Sequence, residues 1–351
     1  GPLRSPANQD TSFQGDAVTR ALLLILKRPF LLLLLLTLLA FASVLFSLLS
    51  GSINLSFNDL LIALFAGEEG LQLQIVREIR LPRTVAAFLV GGLLSLSGVI
   101  MQILLRNPLA DPFILGVSGG AAVGALTAIF LGGSVFWLYQ SAFSGALLSI
   151  LLVFTLANAG KRWSVTRLLL TGVVVSAGWG AMINLLLTTS SENTVQSMLF
   201  WLMGDLSQSR ASWHSYALLL AGLGGGLALS RALNVLTQGD QIAQTLGVRV
   251  EALRTTLYLA ASVLTASAVV IAGSVGFVGL IVPHAIRMLG GRDHRYLIPG
   301  AVLLGGSFLV FADSLARTIL APQQLPVGVV TALIGVPSFI LILRNSATQS
   351  S

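Results

Sequence analysis

From Pro112 to Gly160 the chain runs 49 residues without one charged side chain. Two more charge-free runs follow the same rule, Thr84–Leu105 with 22 residues and Thr255–Ile286. A water-facing surface cannot be built from such stretches. A bilayer can accept them, because about 20 apolar residues in a helix cross its hydrocarbon core. Lipid offers no hydrogen-bond partners, so the backbone must satisfy itself within each helix. Only 9% of the residues are charged, against about 25% in soluble domains. The chain therefore reads as an all-α integral membrane protein.

Dividing the apolar runs at their turns gives ten expected spans. They are roughly 29–50, 84–105, 113–131, 136–158, 168–190, 213–230, 255–272, 277–290, 296–315 and 326–343. The third and fourth share the long uncharged run, divided at Gly132-Gly133-Ser134, and "AGSVG" at 272–276 separates the seventh from a short eighth. The opening "GPLRSPANQD" reads as a protease-cleavage scar, so residues 1–28 form a polar N-terminal segment, 29–344 the transmembrane domain and 345–351 a tail. The apolar stretch from Ala21 to Ser50 is too long for a signal-peptide core.

An even span count puts both termini on one side. With the N-terminus inside, fifteen of the 20 Lys and Arg fall inside, and Arg77, Arg80, Arg83, Arg210 and Arg317 fall outside. The positive-inside rule thus selects N-in, C-in. The net charge of +7 is a topology signal here and implies no nucleic acid. It also makes "REIRLPR" at 77–83 an exception: three arginines at the outer lip of a span, with Arg317 at the outer end of another. They either snorkel to headgroups or present guanidiniums to an acidic partner, for which bidentate geometry suits them.

Gly116, Gly120 and Gly124 recur every fourth residue and predict close helix packing. "RNPLADP" at 106–112 carries two prolines, reading as a bent linker or a gate. The polar loop 231–254 places Ile242, Leu246 and Val250 on one face, and Gly247 divides it into two expected short helices. That loop is either an interfacial amphipathic segment or a contact for a partner. Cysteine is absent, the three histidines lack metal-ligand spacing, and no Walker A sequence occurs, "TLANAGKR" being the nearest string. The chain is expected to bind no cofactor and no metal, and His284 reads as structural. Two other classes can be weighed. An ion-coupled transporter would place ionisable groups near the midplane, whereas the acids of this chain lie in loops, tails or span ends, Asp313 near the outer end of the ninth span being the nearest exception. An intramembrane serine protease could use Ser118 of "GVSG" with His284, though such strings are common in glycine-rich helices.

Taken together, "IRLPRT", "SGVIMQILLRNPLADPFILGVSGGAAVGA", "TRLLLTGV", "GDQIAQTLGV", "GSVGFVGLIVPHAIRMLGGRDHRYLIPG" and "LPVGVVTALIGVPSFILIL" resemble the permease of the iron-siderophore, haem and cobalamin importers. The resemblance runs from about residue 30 to 344. It implies a type II ABC importer permease fold of ten helices per subunit, in the bacterial inner membrane, and a transport protein without enzymatic activity of its own. It implies a homodimer, two ATPase subunits that bind ATP and Mg, a periplasmic binding protein and a metal-chelate substrate moved by alternating access. It assigns Arg80, Arg83 and Arg317, with Arg77 as an addition, to docking of the binding protein. Asn107, Leu109 and Thr166 match the cytoplasmic gate. Asp240, Ala243, Leu246, Gly247 and Val248 match the element that couples to the ATPase. The segment 193–209, with Met198 and Trp201, is expected to line or rim the cavity. Met198, Phe200, Trp201 and Met203 suit a flat apolar ligand, while a membrane-interface belt explains Phe200 and Trp201 equally well; haem or a ferric siderophore is favoured over cobalamin.

Overall fold

The structure, a computed structural model, describes residues 28–51, 56–65, 74–158, 164–207, 209 and 211–348. The expected N-terminal segment up to residue 27, Lys161, Arg162 and Arg210 lie outside them. The described residues form thirteen α-helices and no strand: α1 (Pro29–Leu49), α2 (Phe57–Phe65), α3 (Leu81–Leu104), α4 (Val117–Phe130), α5 (Val135–Ala157), α6 (Val165–Thr189), α7 (Glu192–Met203), α8 (Trp213–Leu236), α9 (Asp240–Thr245), α10 (Val250–Ala272), α11 (Val278–Met288), α12 (His294–Thr318) and α13 (Val327–Thr348). Seven helices are long and apolar enough to cross a membrane. The remaining three expected spans coincide with the shorter apolar helices α4, α11 and α13.

The centre is α3. It is buried around its whole circumference, as a helix apolar on every side must be. α12 lies antiparallel against it: Arg83 meets Asp313, Gly91 meets Gly305, and Ser95 donates to the Ala301 carbonyl at 2.7 Å. A Cβ on Gly91 would stand 2.1 Å from the Gly305 carbonyl oxygen, so only glycine permits this approach. α10 joins α3 through Ser97, which bonds Thr265 Oγ1 and donates to the Ala261 carbonyl. α4 and α5 pair through Gly120 against Gly145. The expected glycine face is shorter than its spacing suggests. Gly116 sits before α4 at φ +72°, ending a 3-10 turn over Pro112–Leu115, while Gly120 and Gly124 make the helix contact.

Three boundaries differ from expectation for identifiable reasons. The helix of "REIRLPR" begins before the arginines, as a π-helical segment over Ile75–Arg80 that flows into α3. Pro82 has no N–H to give, and the Leu81 N–H reaches back to the Val76 carbonyl. The loop 231–254 holds one short helix, α9, and not two. Its expected second helix is the first turn of α10, because no breaker lies between Val250 and Ala272. α13 continues to Thr348, past its expected end. The break at 272–276 is present: α10 stops at Ala272, and Phe277 at φ +70° starts α11.

α6 and α8 present mainly exposed apolar side chains, Val174, Leu185 and Leu220 among them. In a bilayer these faces meet lipid or another helix surface.

Candidate functional site

The docking arginines and the linker and α9 residues singled out by the sequence gather at the two ends of α3, while Thr166, Met198 and Trp201 lie elsewhere. At its Arg83 end, α1 finishes, α3 begins and α12 finishes. Arg83 grips Asp313 with both oxygens, Nε at 3.0 Å from each and Nη2 at 2.8 Å from Oδ1. Its Nη1 donates to Gln324 Oε1 at 2.8 Å. Arg317, one turn after Asp313, forms a second ion pair with it at 3.2 Å and donates to Ser47 Oγ at 2.8 Å. Arg80 donates to the Leu48 and Leu49 carbonyls at 2.8 and 3.2 Å. Those carbonyls belong to the last turn of α1, where no intrahelical donor remains. Arg80 and Arg83 are buried, and Asp313 is fully so.

The arginines expected to form a docking lip are thus engaged largely within the chain. Arg80, Arg83 and Arg317 are held by groups of the chain itself, and Arg77, on the π segment, is an exposed residue. It lines a hollow of about 540 Å³ with Glu78, Pro82, Ala211 and Tyr216. Arg83 is buried through the antiparallel register of α3 and α12, which delivers Asp313 to it across 230 positions of sequence, and Arg80 through the end of α1. Asp313 and Gln324 were not among the expected site residues. The legible signal was an acid and an arginine four apart, Asp313 and Arg317, inside an apolar span.

At the Arg106 end, the 106–112 linker meets α9. Arg106 stands at φ +49°, and its guanidinium donates to Asp240 Oδ1. Arg254, in the first turns of α10, donates to the same oxygen at 2.9 Å. Asp240 thus ties the linker, α9 and α10 into one ionic group. Asn107 and Leu109 are exposed, and the Leu109 N–H donates to Asn107 Oδ1 at 2.9 Å, closing a tight turn. Asp111 accepts from the Phe113 N–H at 2.8 Å. Burial pushes its carboxyl above the ordinary range, and that hydrogen bond opposes the shift. Thr166 lies exposed on the first turn of α6, and among the described residues no hydrogen bond joins it to Asn107 or Leu109.

α9 is anchored by Ala243, which is fully buried, and ends in a Schellman motif. The Gly247 N–H donates to the Gln244 carbonyl and the Val248 N–H to the Ala243 carbonyl, with Gly247 at φ +81°. Ile242 on this six-residue helix and Leu246 at its C-cap form an exposed apolar pair.

A third feature lies where α4, α5, α7 and α10 come together. Trp201, Phe200, Tyr139 and Gln196 line a cavity of about 430 Å³. Met198 does not belong to it; the side chain is fully buried and accepts from Ser190 Oγ through its sulfur at 3.6 Å. Ser118 bonds Ser274 Oγ at 2.8 Å, whereas His284 lines a separate polar cavity at the Arg106 end. The nucleophile–base contact that a serine protease needs is not made. Asp313 is neutralised by two arginines, which removes it as a free ion carrier. Among the described residues no three metal-ligating side chains cluster.

The profile of the FecCD transport family matches residues 36–345. A cobalamin import system permease protein of Halobacterium salinarum is 45% identical over 79% of this chain and 75% of its own length. A hemin transport system permease protein of Yersinia pestis is 43% identical over 78% and 84%. Among solved structures, an inward-facing conformation of a metal-chelate type ABC transporter superposes with a TM-score of 0.79. It shares 34% identity and the match covers 89% of this chain and 98% of that one.

Proposed function

Because the chain belongs to the FecCD transport family, we propose that it is the membrane-spanning permease subunit of an ATP-driven importer that carries a metal chelate across the cytoplasmic membrane by alternating access. The observation that carries this reading is the near-complete superposition on a metal-chelate type transporter. The proposed assembly contains a second copy of the chain, two ATPase subunits and a substrate-binding protein outside the cell. The Arg83 end faces outward, and the Arg106 end with both termini faces the cytoplasm.

Roles follow from placement. Ile242 and Leu246 give α9 an apolar face for the ATPase. Asp240 passes the movement of α9 to Arg106 and so to the gate residues Asn107 and Leu109. Thr166 contributes to the gate from α6. The binding protein docks at the Arg83 end, with exposed Arg77 making direct contact and Arg80, Arg83 and Arg317 setting a positive field beneath it. Trp201 rims the entry cavity. The chain itself binds no ATP, and the chelate arrives with its metal already coordinated.

The test is uptake in proteoliposomes that contain this chain with its ATPase and binding protein. Haem, a ferric siderophore and cobalamin would be offered in turn. Accumulation of one of them only with ATP and both partners is the expected result; ATP-independent uptake would return the ion-coupled class.

A further inference from the structure

At the Arg106 end, the last turns of α3, α8 and α11 and the start of α12 enclose a cavity of about 850 Å³. Its wall holds three guanidiniums, Arg106, Arg287 and Arg292, and one carboxylate, Asp293. Arg106 is already engaged by Asp240. Arg287 donates to the neutral side chain of Gln102. Among the described residues no carboxylate lies within ion-pair distance of Arg287 or Arg292. Among the described residues, Arg287 and Arg292 therefore face this cavity without an ion-pair partner, Asp293 standing on the same wall beyond ion-pair distance.

The histidines sharpen the picture. His294 is 3% exposed and lines the cavity. Its Nδ1 bonds Asn234 Oδ1, while Asn234 Nδ2 donates to Asp293 at 2.8 Å. The amide orientation is thereby determined, and a carbonyl oxygen only accepts, so Nδ1 carries the proton. Nε2 of the neutral ring is then an acceptor, and it is buried with no partner. Nδ1 of His284, on the same wall, is likewise buried and unpartnered. Buried polar atoms left without partners are costly and uncommon. Guanidiniums call for an oxyanion, and an imidazole lone pair calls for a hydroxyl proton. A ligand that meets both demands carries phosphate oxygens and an O–H in one small group.

We infer that this cavity binds a phosphate-bearing anion that also offers a hydroxyl. Arg287 and Arg292 take its oxygens, and its hydroxyl donates to His294 Nε2. Hydrogenphosphate has this chemistry, and so does the headgroup of phosphatidylglycerol; basic pockets at helix ends are known lipid-headgroup sites. Sulfate, fully deprotonated, does not.

The full chain in neutral detergent would be titrated with inorganic phosphate, followed by phosphorus NMR and calorimetry. In parallel, nanodiscs of phosphatidylglycerol or phosphatidylcholine would be examined for retained lipid by native mass spectrometry. One site per chain is expected, with sulfate competing at least about tenfold less well. Arg287→Gln and the exposed Arg292→Gln should each weaken binding about tenfold, the worth of one charge-assisted hydrogen bond. Saturable phosphate binding supports a free anion as the source. Selective retention of phosphatidylglycerol, undisplaced by phosphate, supports a headgroup. Sulfate competing equally, affinity unchanged in both variants, or no bound phosphorus from either source overturns the assignment. The last result, with both variants losing a co-purified subunit, would make the cavity a protein contact.

Discussion

Arg83 and Asp313 form a bidentate pair across the Arg83 end of the bundle, and Arg317 closes on the same carboxylate from the next turn of α12. One buried acid thereby holds two buried arginines, and through Ser47 and Gln324 it fastens α1 and the segment before α13 to α3. Removing one member of a buried pair costs about 3–5 kcal/mol, because the other charge is left uncompensated. Asp313→Asn should lower the detergent-phase melting temperature clearly. An unchanged melting curve would show that the arginines find other partners, and the network would then not be what joins these helix ends.

Asp240 is different in kind. Its side chain is about a third exposed, as is that of Arg106, and pairs of this sort stabilise by about 0–1 kcal/mol. Asp240→Asn should leave folding nearly untouched. If α9 transmits ATPase movement through this carboxylate, the variant should hydrolyse ATP while chelate uptake falls. Uptake and hydrolysis measured on the same proteoliposomes separate the two; a proportional loss of both would argue for impaired assembly instead.

Glycine replacements provide an internal contrast. A Cβ at Gly98 would stand 1.9 Å from the Gly279 carbonyl oxygen, whereas nothing lies within 4 Å of one at Gly178 or Gly180. Gly98→Ala should destabilise by about 1–3 kcal/mol or more through forced separation of α3 and α11. Gly178→Ala should be neutral or slightly stabilising within one chain, since alanine favours helix by about 1 kcal/mol. If a second copy packs on that face of α6, Gly178→Ala will instead weaken dimerisation, which light scattering in detergent would detect.

Asp293 caps α12 by accepting from the Arg295 N–H at 2.9 Å. That bond first, and the Asn234 amide second, hold its carboxyl below the ordinary range. A depressed folded pKa contributes stability above the unfolded value of about 3.9 and loses it as pH falls through the folded value. Asp293→Ala should therefore cost about 1 kcal/mol at pH 7, as lost caps do. The gap from the wild type should narrow below pH 4. A gap independent of pH would mean the charge contributes nothing.

Much of the fold was legible because lipid leaves few alternatives: an uncharged run of the right length is a helix. The break after Ala272 and the turn at Gly132 announced themselves through glycine. What sequence could not give was partnership. Arg83 of "REIRLPR" read as outward-facing because Asp313 lies 230 residues away, and only the α3–α12 register unites them. Arg106 and Arg254 likewise gained their meaning from Asp240, a residue expected to couple to the ATPase but not to pair with either arginine. Met198 and Trp201 share a helix and an apolar character, so no pattern could tell that one faces the cavity and the other does not.

The interruption between α10 and α11 looks like a place to bend, yet both flanking helices are fastened to α3. Ser97 secures α10, while Gly98, together with Gln102 on the Leu280 carbonyl and on Arg287, secures α11. The Trp201 carbonyl abuts Gly273 in the gap itself. These contacts brace the corner against α3, so the alternating access proposed above is expected to leave it intact and to bend the chain at less tightly held joints.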